Sequence, residues 1–185
     1  MLVLLSCFIV IFVLLLSIGI TGKTFSQQFL NYKSDTIGVQ IQYPNKWNYT
    51  DFLEIVFFIP GNESNLDKVV TEQEVLFIIA HDTSVIQNIP LESYLQYVKG
   101  RLENRSDFIY NSEPNKTELG GLPAYSMEFI NSRGMPGLLI ALVDNGKPYA
   151  ISYVATQDKI YQYLPTIVKM LATLKFSGAV VGINY

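Results

Sequence analysis

Side chains with catalytic potential are few in this chain. His81 is the single histidine, and it stands next to Asp82. Neighbouring residues of a strand point to opposite faces, so this pair is badly placed to act as a base and its orienting carboxylate. Glu72 and Glu74 have a spacing that suits Ca²⁺ binding or acid–base chemistry, but the same spacing is typical of solvated loop charge. We therefore nominate no catalytic residue.

The sequence also lacks the motifs that bind metals or cofactors. Cys7, the single cysteine, belongs to the apolar N-terminal segment, so the rest of the chain has no thiolate ligand or nucleophile. One histidine is too few for the usual zinc or non-haem iron sites. No G-x-S-x-G elbow or phosphate-binding glycine loop is present. We expect no metal, no cofactor and no enzymatic activity. A hydrolase that uses carboxylates is the alternative.

Composition restricts the class of partner. The chain has 185 residues, a net charge of −3 and a pI near 5.1. Binding to nucleic acid requires clustered Lys and Arg that neutralise phosphates, and no such cluster occurs, so we expect no nucleic-acid partner. Apolar residues make up 49% of the chain, which is enough for a packed core.

The first 26 residues read as a signal peptide or an N-terminal membrane anchor. Met1 to Ile20 contains no charged side chain, and Lys23 is the first charge. About 20 apolar residues are long enough to cross a bilayer as a helix and somewhat long for a cleaved signal, whose apolar part runs roughly 7–15 residues. Leu4 to Cys7 also resembles a lipobox. Residues 1–20 would contact the membrane if uncleaved, and we expect residues 27–185 to lie outside the cytoplasm, either secreted or anchored.

Four N-x-S/T triplets follow the leader, and they begin at Asn48, Asn62, Asn104 and Asn115. Such sequons are acceptors for N-glycosylation and so suit an exported surface protein. The competing interpretation is that they are simply Asn-rich loops.

Strand patterns occupy the first half of the domain. Residues 37–43 alternate between apolar and polar side chains, which predicts a half-buried strand ended by Pro44. We predict a tether over 24–29, a turn over 45–47 with Trp47 as a core plug, a second strand over 53–59 and a polar loop over 62–71. Val75 to Ala80 is apolar at every position, which predicts a strand covered on both faces by helices, or by a helix and a long loop.

Two helices are predicted, over 90–104 and 158–172. In the first, Leu91, Tyr94, Leu95, Val98 and Leu102 form one apolar stripe. In the second, Pro165 predicts a short first turn or a kink. Several aromatic side chains lie on these helices, namely Tyr94, Tyr97, Tyr161 and Tyr163.

The second half is predicted to be an antiparallel meander. The predicted strands cover 108–110, the region around Tyr125, 138–143 and 149–155, and a closing extended segment covers 173–177. Asn145-Gly146 predicts a tight hairpin turn between the last two long strands, because a type I′ turn requires positive φ at both central residues.

Three phrases of the sequence resemble the PsbP-like family: Ile37 to Pro44 followed by Trp47, Leu119 to Tyr125, and Tyr149 to Tyr153 before the last helix and its Leu174-Lys175-Phe176 ending. The resemblance covers about residues 29–177. It implies an α+β fold, an antiparallel β-sheet sandwiched by helices, and an accessory or binding role. Plant and cyanobacterial members assist the oxygen-evolving side of photosystem II, and nothing in this chain transfers that role to it.

We therefore interpret the chain as a non-catalytic extracytoplasmic accessory or binding protein that associates with a membrane or cell-envelope protein. Tyr97 lies off the main apolar stripe of its helix and is the candidate interface residue, since exposed aromatic side chains are favoured at interfaces. The alternative from another class is a cell-envelope structural glycoprotein.

Export can be tested with protease added to intact cells. Because the leader precedes a polar domain, we expect residues 27–185 to be digested without lysis. N-terminal sequencing of the mature chain then separates cleavage from anchoring. Protection of the domain until lysis would show that it faces the cytoplasm.

Overall fold

A computed structural model describes residues 28–104, 109–110 and 113–177. Strands dominate it, and the elements in chain order are β1 (Phe29–Ser34), β2 (Val39–Pro44), β3 (Trp47–Phe52), β4 (Ile55–Pro60), α1 (Leu66–Glu72), β5 (Val75–His81), α2 (Leu91–Glu103), β6 (Ile109–Tyr110), β7 (Asn115–Leu119), β8 (Leu122–Ile130), β9 (Pro136–Asp144), β10 (Lys147–Ala155), α3 (Ile160–Ala172) and β11 (Lys175–Phe176).

The strands form two sheets. The large sheet has the order β3-β4-β5-β10-β9-β8-β6, and β7 pairs with β8 beside it. The small sheet has the order β1-β2-β11. Every strand pair is antiparallel. The mainly antiparallel α+β architecture predicted above is therefore confirmed.

Both faces of the large sheet are covered. On β5, Val75, Phe77 and Ile79 pack into one buried cluster with α3 and the small sheet. Leu76 and Ile78 point the other way and pack into a second cluster with α1 and α2. The prediction that a strand apolar on both faces is buried between two layers is confirmed.

The β9–β10 hairpin is also confirmed. Asn145 and Gly146 have φ values of 46° and 81°, as a turn with two positive-φ residues requires. Cα pairs run from Leu138 with Tyr153 to Val143 with Pro148. The tight turn thereby fixes the register of two nine-residue strands in the core.

Both predicted helices are present, with small differences at their ends. Pro90 is the N-cap of α2 and lies just before the first turn. The predicted stripe is buried at Tyr94, Leu95 and Val98, among others. The last helix begins at Ile160 and continues through Pro165 as one element.

The predicted polar loop over 62–71 is wrong, because it contains α1. The side chain of Asn65 caps this helix by accepting hydrogen bonds from the backbone N–H groups of Asp67 and Lys68. Val69 is the only buried residue of the seven. A short helix with one buried position has no apolar periodicity from which it could be recognised.

Several strand boundaries also differ from the predictions. The predicted tether overlaps β1 at Phe29, and the predicted turn ends where Trp47 begins β3. Trp47 is buried with its ring 5.8 Å from that of Tyr163, which confirms its role as a core plug. The strand predicted from Leu53 begins at Ile55, because Leu53 occupies a turn at positive φ. β1, β3 and β7 were not predicted as strands.

The predicted leader, residues 1–26, lies outside the described residues, as does Phe108 of the predicted strand over 108–110. Within the described ranges, no helix combines the length and apolarity needed to cross a bilayer.

One contact between the two sheets generates a stability prediction. Tyr149 lies on β10, and its hydroxyl donates a 2.9 Å hydrogen bond to the backbone carbonyl of Ile37. The next residue, Gly38, has φ +79°, and a Cβ there would lie 2.9 Å from the same hydroxyl. Gly61 has φ +90° but open space around it.

We expect Gly38→Ala to destabilise the fold by about 2–4 kcal/mol, from backbone strain plus the clash. Tyr149→Phe should cost about 1–2 kcal/mol, because the Ile37 carbonyl loses its donor. Gly61→Ala, which has strain alone, should cost about 1 kcal/mol. In urea denaturation the double variant Gly38→Ala with Tyr149→Phe should cost less than the sum of its parts. Additive costs, or equal costs at Gly38 and Gly61, would contradict this contact.

Candidate binding surface around Tyr97

The candidate surface is built on α2. Tyr94, Tyr97 and Arg101 are spaced by three and four residues, so they share one side of the helix. Tyr94 is fully buried, and the Tyr97 ring stacks near it with centroids 6.4 Å apart and planes 20° apart. Tyr97 is half-buried at the edge of the second cluster rather than fully exposed.

A carboxylate at the end of β5 organises these side chains. Asp82 accepts a hydrogen bond from Ser84 and a 3.4 Å hydrogen bond from the Tyr94 hydroxyl. Arg101 Nη1 lies 3.7 Å from Asp82 Oδ2. The Asp82 side chain is only 12% exposed, so its charge is stabilised by these donors more than by water.

Ser84 connects Asp82 to Tyr97. The Ser84 Oγ and the Tyr97 hydroxyl are 2.7 Å apart. Because the hydroxyl hydrogen of Ser84 is directed to Asp82, Tyr97 is the donor in this contact. Arg101 Nη1 also donates to Ser84 Oγ at 3.4 Å and to the Tyr97 hydroxyl at 3.5 Å. The Tyr97 ring is therefore held by a network with Asp82 at its centre.

Tyr94 is the network residue whose pKa is shifted, and burial is the largest cause. Burial raises this pKa far above its usual range, the nearby charge of Asp82 raises it further, and Arg101 opposes the shift. Near neutral pH Tyr94 is a neutral hydroxyl donor. Tyr94 therefore releases no proton near neutral pH.

An open depression of about 700 Å³ lies beside this network, lined by Gln96, Tyr97, Gly100, Arg101 and Asn104. Gly100 contributes no side chain, and a Cβ there would meet nothing within 4 Å. The guanidinium carbon of Arg101 lies 5.7 Å from the Tyr97 ring centroid. The Tyr97 ring, the Arg101 guanidinium and the amides of Gln96 and Asn104 thus line a shallow surface that a protein segment can contact.

His81 and Asp82 lie on opposite faces of the sheet, as the sequence predicted. The His81 ring lies 5.4 Å from that of Tyr149, within the layer that contains the small sheet. Asp82 faces α2 instead. Ser84 therefore has a carboxylate but no imidazole next to it, which is not the arrangement that activates a serine nucleophile.

The other candidate residues are dispersed. Asn62 and Asn104 are exposed, whereas the side-chain amides of Asn48 and Asn115 donate to the backbone carbonyls of Glu63 and Glu113. On α3, Tyr161 is 48% exposed and Tyr163 packs against the core. Asn104 is the only sequon residue among those that line the depression.

The carboxylates of the described ranges form no cluster suited to a metal ion. No group of three or more Asp, Glu, His or Cys side chains converges there. Glu74 is paired with Lys159 instead of acting with Glu72. The role of Asp82, Ser84 and Arg101 was missed in the sequence, although the four-residue spacing of Tyr97 and Arg101 was a visible signal.

Comparison with solved structures identifies the fold. The chain superposes on cyanobacterial PsbP (CyanoP) from Synechocystis with a TM-score of 0.54 and 14% identity, over 86% of this chain and 98% of that one. The domain has the PsbP-like fold. The resemblance noted in the sequence is thus confirmed at the level of fold, and this degree of identity shows the fold alone.

A protein from Bacteroides thetaiotaomicron has a similar structure, with a TM-score of 0.51 and 15% identity over 81% of this chain. The PsbP-like domain matches 48% of that protein, about half its length. No protein-family model matches the sequence, and no curated protein matches it.

The single histidine gives a direct check of the sheet's electrostatics. Burial lowers the pKa of His81 from its ordinary value of 6.5, and the charge of Lys147 lowers it further. A histidine with a depressed pKa in the folded state stabilises the fold above pH 6.5, and this contribution is lost as the pH falls through the folded pKa.

We expect the His81 imidazole signal in NMR to titrate below pH 6.5. Lys147→Gln should raise its midpoint part of the way back, because burial is the larger cause. Lys169→Gln, on the exposed side of α3, should leave it unchanged. A midpoint at or above 6.5 in the wild type would show that His81 is not in the environment described.

Proposed function

We propose that the chain is an exported, non-catalytic binding domain that associates with a membrane or cell-envelope protein through the surface around Tyr97. The observation that carries this proposal is the network that holds Tyr97 and Arg101 beside an open depression. Side chains ordered before binding lose little conformational entropy on association, so they suit an interface.

The chemistry of the surface favours binding over turnover. Tyr and Arg are the residues most enriched among those that dominate binding energies. Catalysis near neutral pH generally requires a nucleophile with a tuned base or a bound metal. Around Tyr97 the described side chains offer neither: Ser84 is hydrogen-bonded to a carboxylate, and the raised pKa of Tyr94 keeps its hydroxyl protonated near neutral pH.

Export of the domain rests on the apolar leader and the four sequons. The PsbP-like fold is compatible with an accessory role. It also accommodates other activities, so the proposal depends on the surface itself.

One observation favours the cell-envelope glycoprotein as a second candidate. Asn104 is exposed and lines the same depression as Tyr97. A glycan on Asn104 would occupy the space that a protein partner needs. Glycopeptide mapping of the native protein therefore separates the two functions: the binding domain requires Asn104 to be unmodified, whereas the structural glycoprotein requires it to be occupied.

The binding function is tested by crosslinking the chain in intact membranes and measuring recovery of the crosslinked partner. Truncation of an interface tyrosine costs about 2 kcal/mol, so Tyr97→Ala should weaken association roughly 30-fold. Tyr161→Ala is the matched control on α3 and should retain the partner, as should His81→Ala.

Two outcomes would contradict the proposal. Equal partner recovery from Tyr97→Ala and wild type would show that the surface does not bind the partner. A turnover lost in His81→Ala, together with an unaffected association in Tyr97→Ala, would favour the enzyme alternative instead.

A further inference from the structure

A second surface lies at one end of the large sheet, where three loops meet. Backbone hydrogen bonds join them side by side: His81 N–H donates to the Glu54 carbonyl at 2.9 Å, and Asn88 N–H donates to the Gly146 carbonyl at 2.7 Å. The first loop segment is residues 51–54, which comprise the end of β3 and the turn into β4. The second is residues 82–88 after β5, and the third is residues 144–147, which comprise the Asn145-Gly146 turn and the strand residue on each side of it. The three segments are called the loop end below.

The loop end exposes large apolar side chains. Phe52 is 56% exposed, Leu53 is 69% exposed and Ile86 is 85% exposed. An open depression of about 410 Å³ lies beside the second and third loops, lined by Ile89, Pro90, Leu91, Pro123 and Val143 together with Asn88 and Gly146. Grouped exposed apolar residues of this kind mark interaction sites in soluble domains.

Leu53 is unfavourable for folding on two counts. Its φ is +53°, a conformation that Gly or Asn adopts at lower cost than Leu. Its side chain is also mostly exposed and gains little from burial. An apolar residue at a position where a small polar one would be more stable points to a role outside the fold.

The charged residues of the loop end indicate which kind of partner the loop end binds. Asp51 and Glu54 flank Phe52 and Leu53 in the chain. Asp144 is buried and Asp82 is paired with Arg101, so the charged side chains that remain accessible in the three loops are Asp51, Glu54 and Lys147. Asp51 and Glu54 would repel anionic lipid headgroups. They would also disfavour a second copy of the chain, because a twofold contact brings the same acids together.

The path of the chain places the loop end away from the N-terminal segment. Asn45 N–H donates to the Gln28 carbonyl, so the chain enters the domain beside the β2–β3 turn. That turn and the 51–54 loop lie at opposite ends of β3, about 20 Å apart for a six-residue strand. The chain therefore enters the domain at the end opposite the loop end.

We propose that the loop end docks a segment of another protein, outside the membrane, whose apolar side chains are flanked by Lys or Arg. Phe52, Leu53 and Ile86 provide the apolar contact, and Asp51 and Glu54 face the basic flanks. Asp82 and Ser84 of the loop end belong to the network around Tyr97, whereas Phe52, Leu53 and Ile86 are not part of that network, so each proposal has its own test.

The probe is a phage-displayed library of random 12-residue peptides, panned against the full chain held in nanodiscs. Bound phage that also bind the Leu53→Asn variant are removed, and the enriched peptides are synthesised for affinity measurement. Leu53→Asn suits this purpose because Asn tolerates positive φ, so its thermal unfolding midpoint should equal or exceed that of the wild type. Val70→Asn is the matched control, since Val70 is 47% exposed on α1.

We expect enriched peptides with apolar residues flanked by Lys or Arg, whose binding falls at least 10-fold in Leu53→Asn. Their affinity should not change in Val70→Asn or in Tyr97→Ala.

Four results would overturn the proposal. The first is the absence of peptides that distinguish wild type from Leu53→Asn, or enrichment of acidic flanks. The second is Leu53-dependent binding to protein-free vesicles of anionic lipid, and the third is a Leu53-dependent dimer. The fourth is peptide binding that rises at least 10-fold on deletion of residues 178–185, which would assign the surface to the chain's own C-terminal segment.

Discussion

The structure depends on covering a pair of strands that are apolar on both faces. β5 and β10 lie side by side at the centre of the large sheet, and each contributes buried side chains to both clusters. Neither face can be left to water, so one face is covered by α1 and α2 and the other by α3 with the small sheet. Tyr149, through its hydrogen bond to the Ile37 carbonyl, joins these central strands to the small sheet.

This arrangement moves polar groups to the ends of the strands. Along β5 the buried side chains are apolar, and the first carboxylate is that of Asp82, immediately after the strand. There it meets Tyr94 and Arg101 from the layer above and orders Tyr97 at the edge of that layer. The candidate binding surface is thus a consequence of how a doubly covered sheet ends.

Sequence patterns predicted the elements with strong periodicity or strong turn chemistry. The stripe of α2, the uniform apolarity of β5 and the Asn145-Gly146 turn each reflect a local rule that the tertiary structure obeys. α1, β1, β3 and β7 were missed: α1 is short with a single buried residue, and β1, β3 and β7 are mostly polar or exposed. The Asp82 network was missed because it joins residues up to 19 apart through a loop whose path no local pattern specifies.

The Asp82 network implies that α2 and the sheet form one rigid unit, so that Tyr97 is already in place when a partner arrives. Native-state hydrogen exchange across a denaturant series measures whether they open together. The amides of α2 around Tyr97 and those of β10 should exchange through the same global opening, with equal free energies and equal denaturant dependence. If the α2 amides exchange at least ten times faster through a separate, denaturant-independent opening, the surface is not preorganised and the account is contradicted.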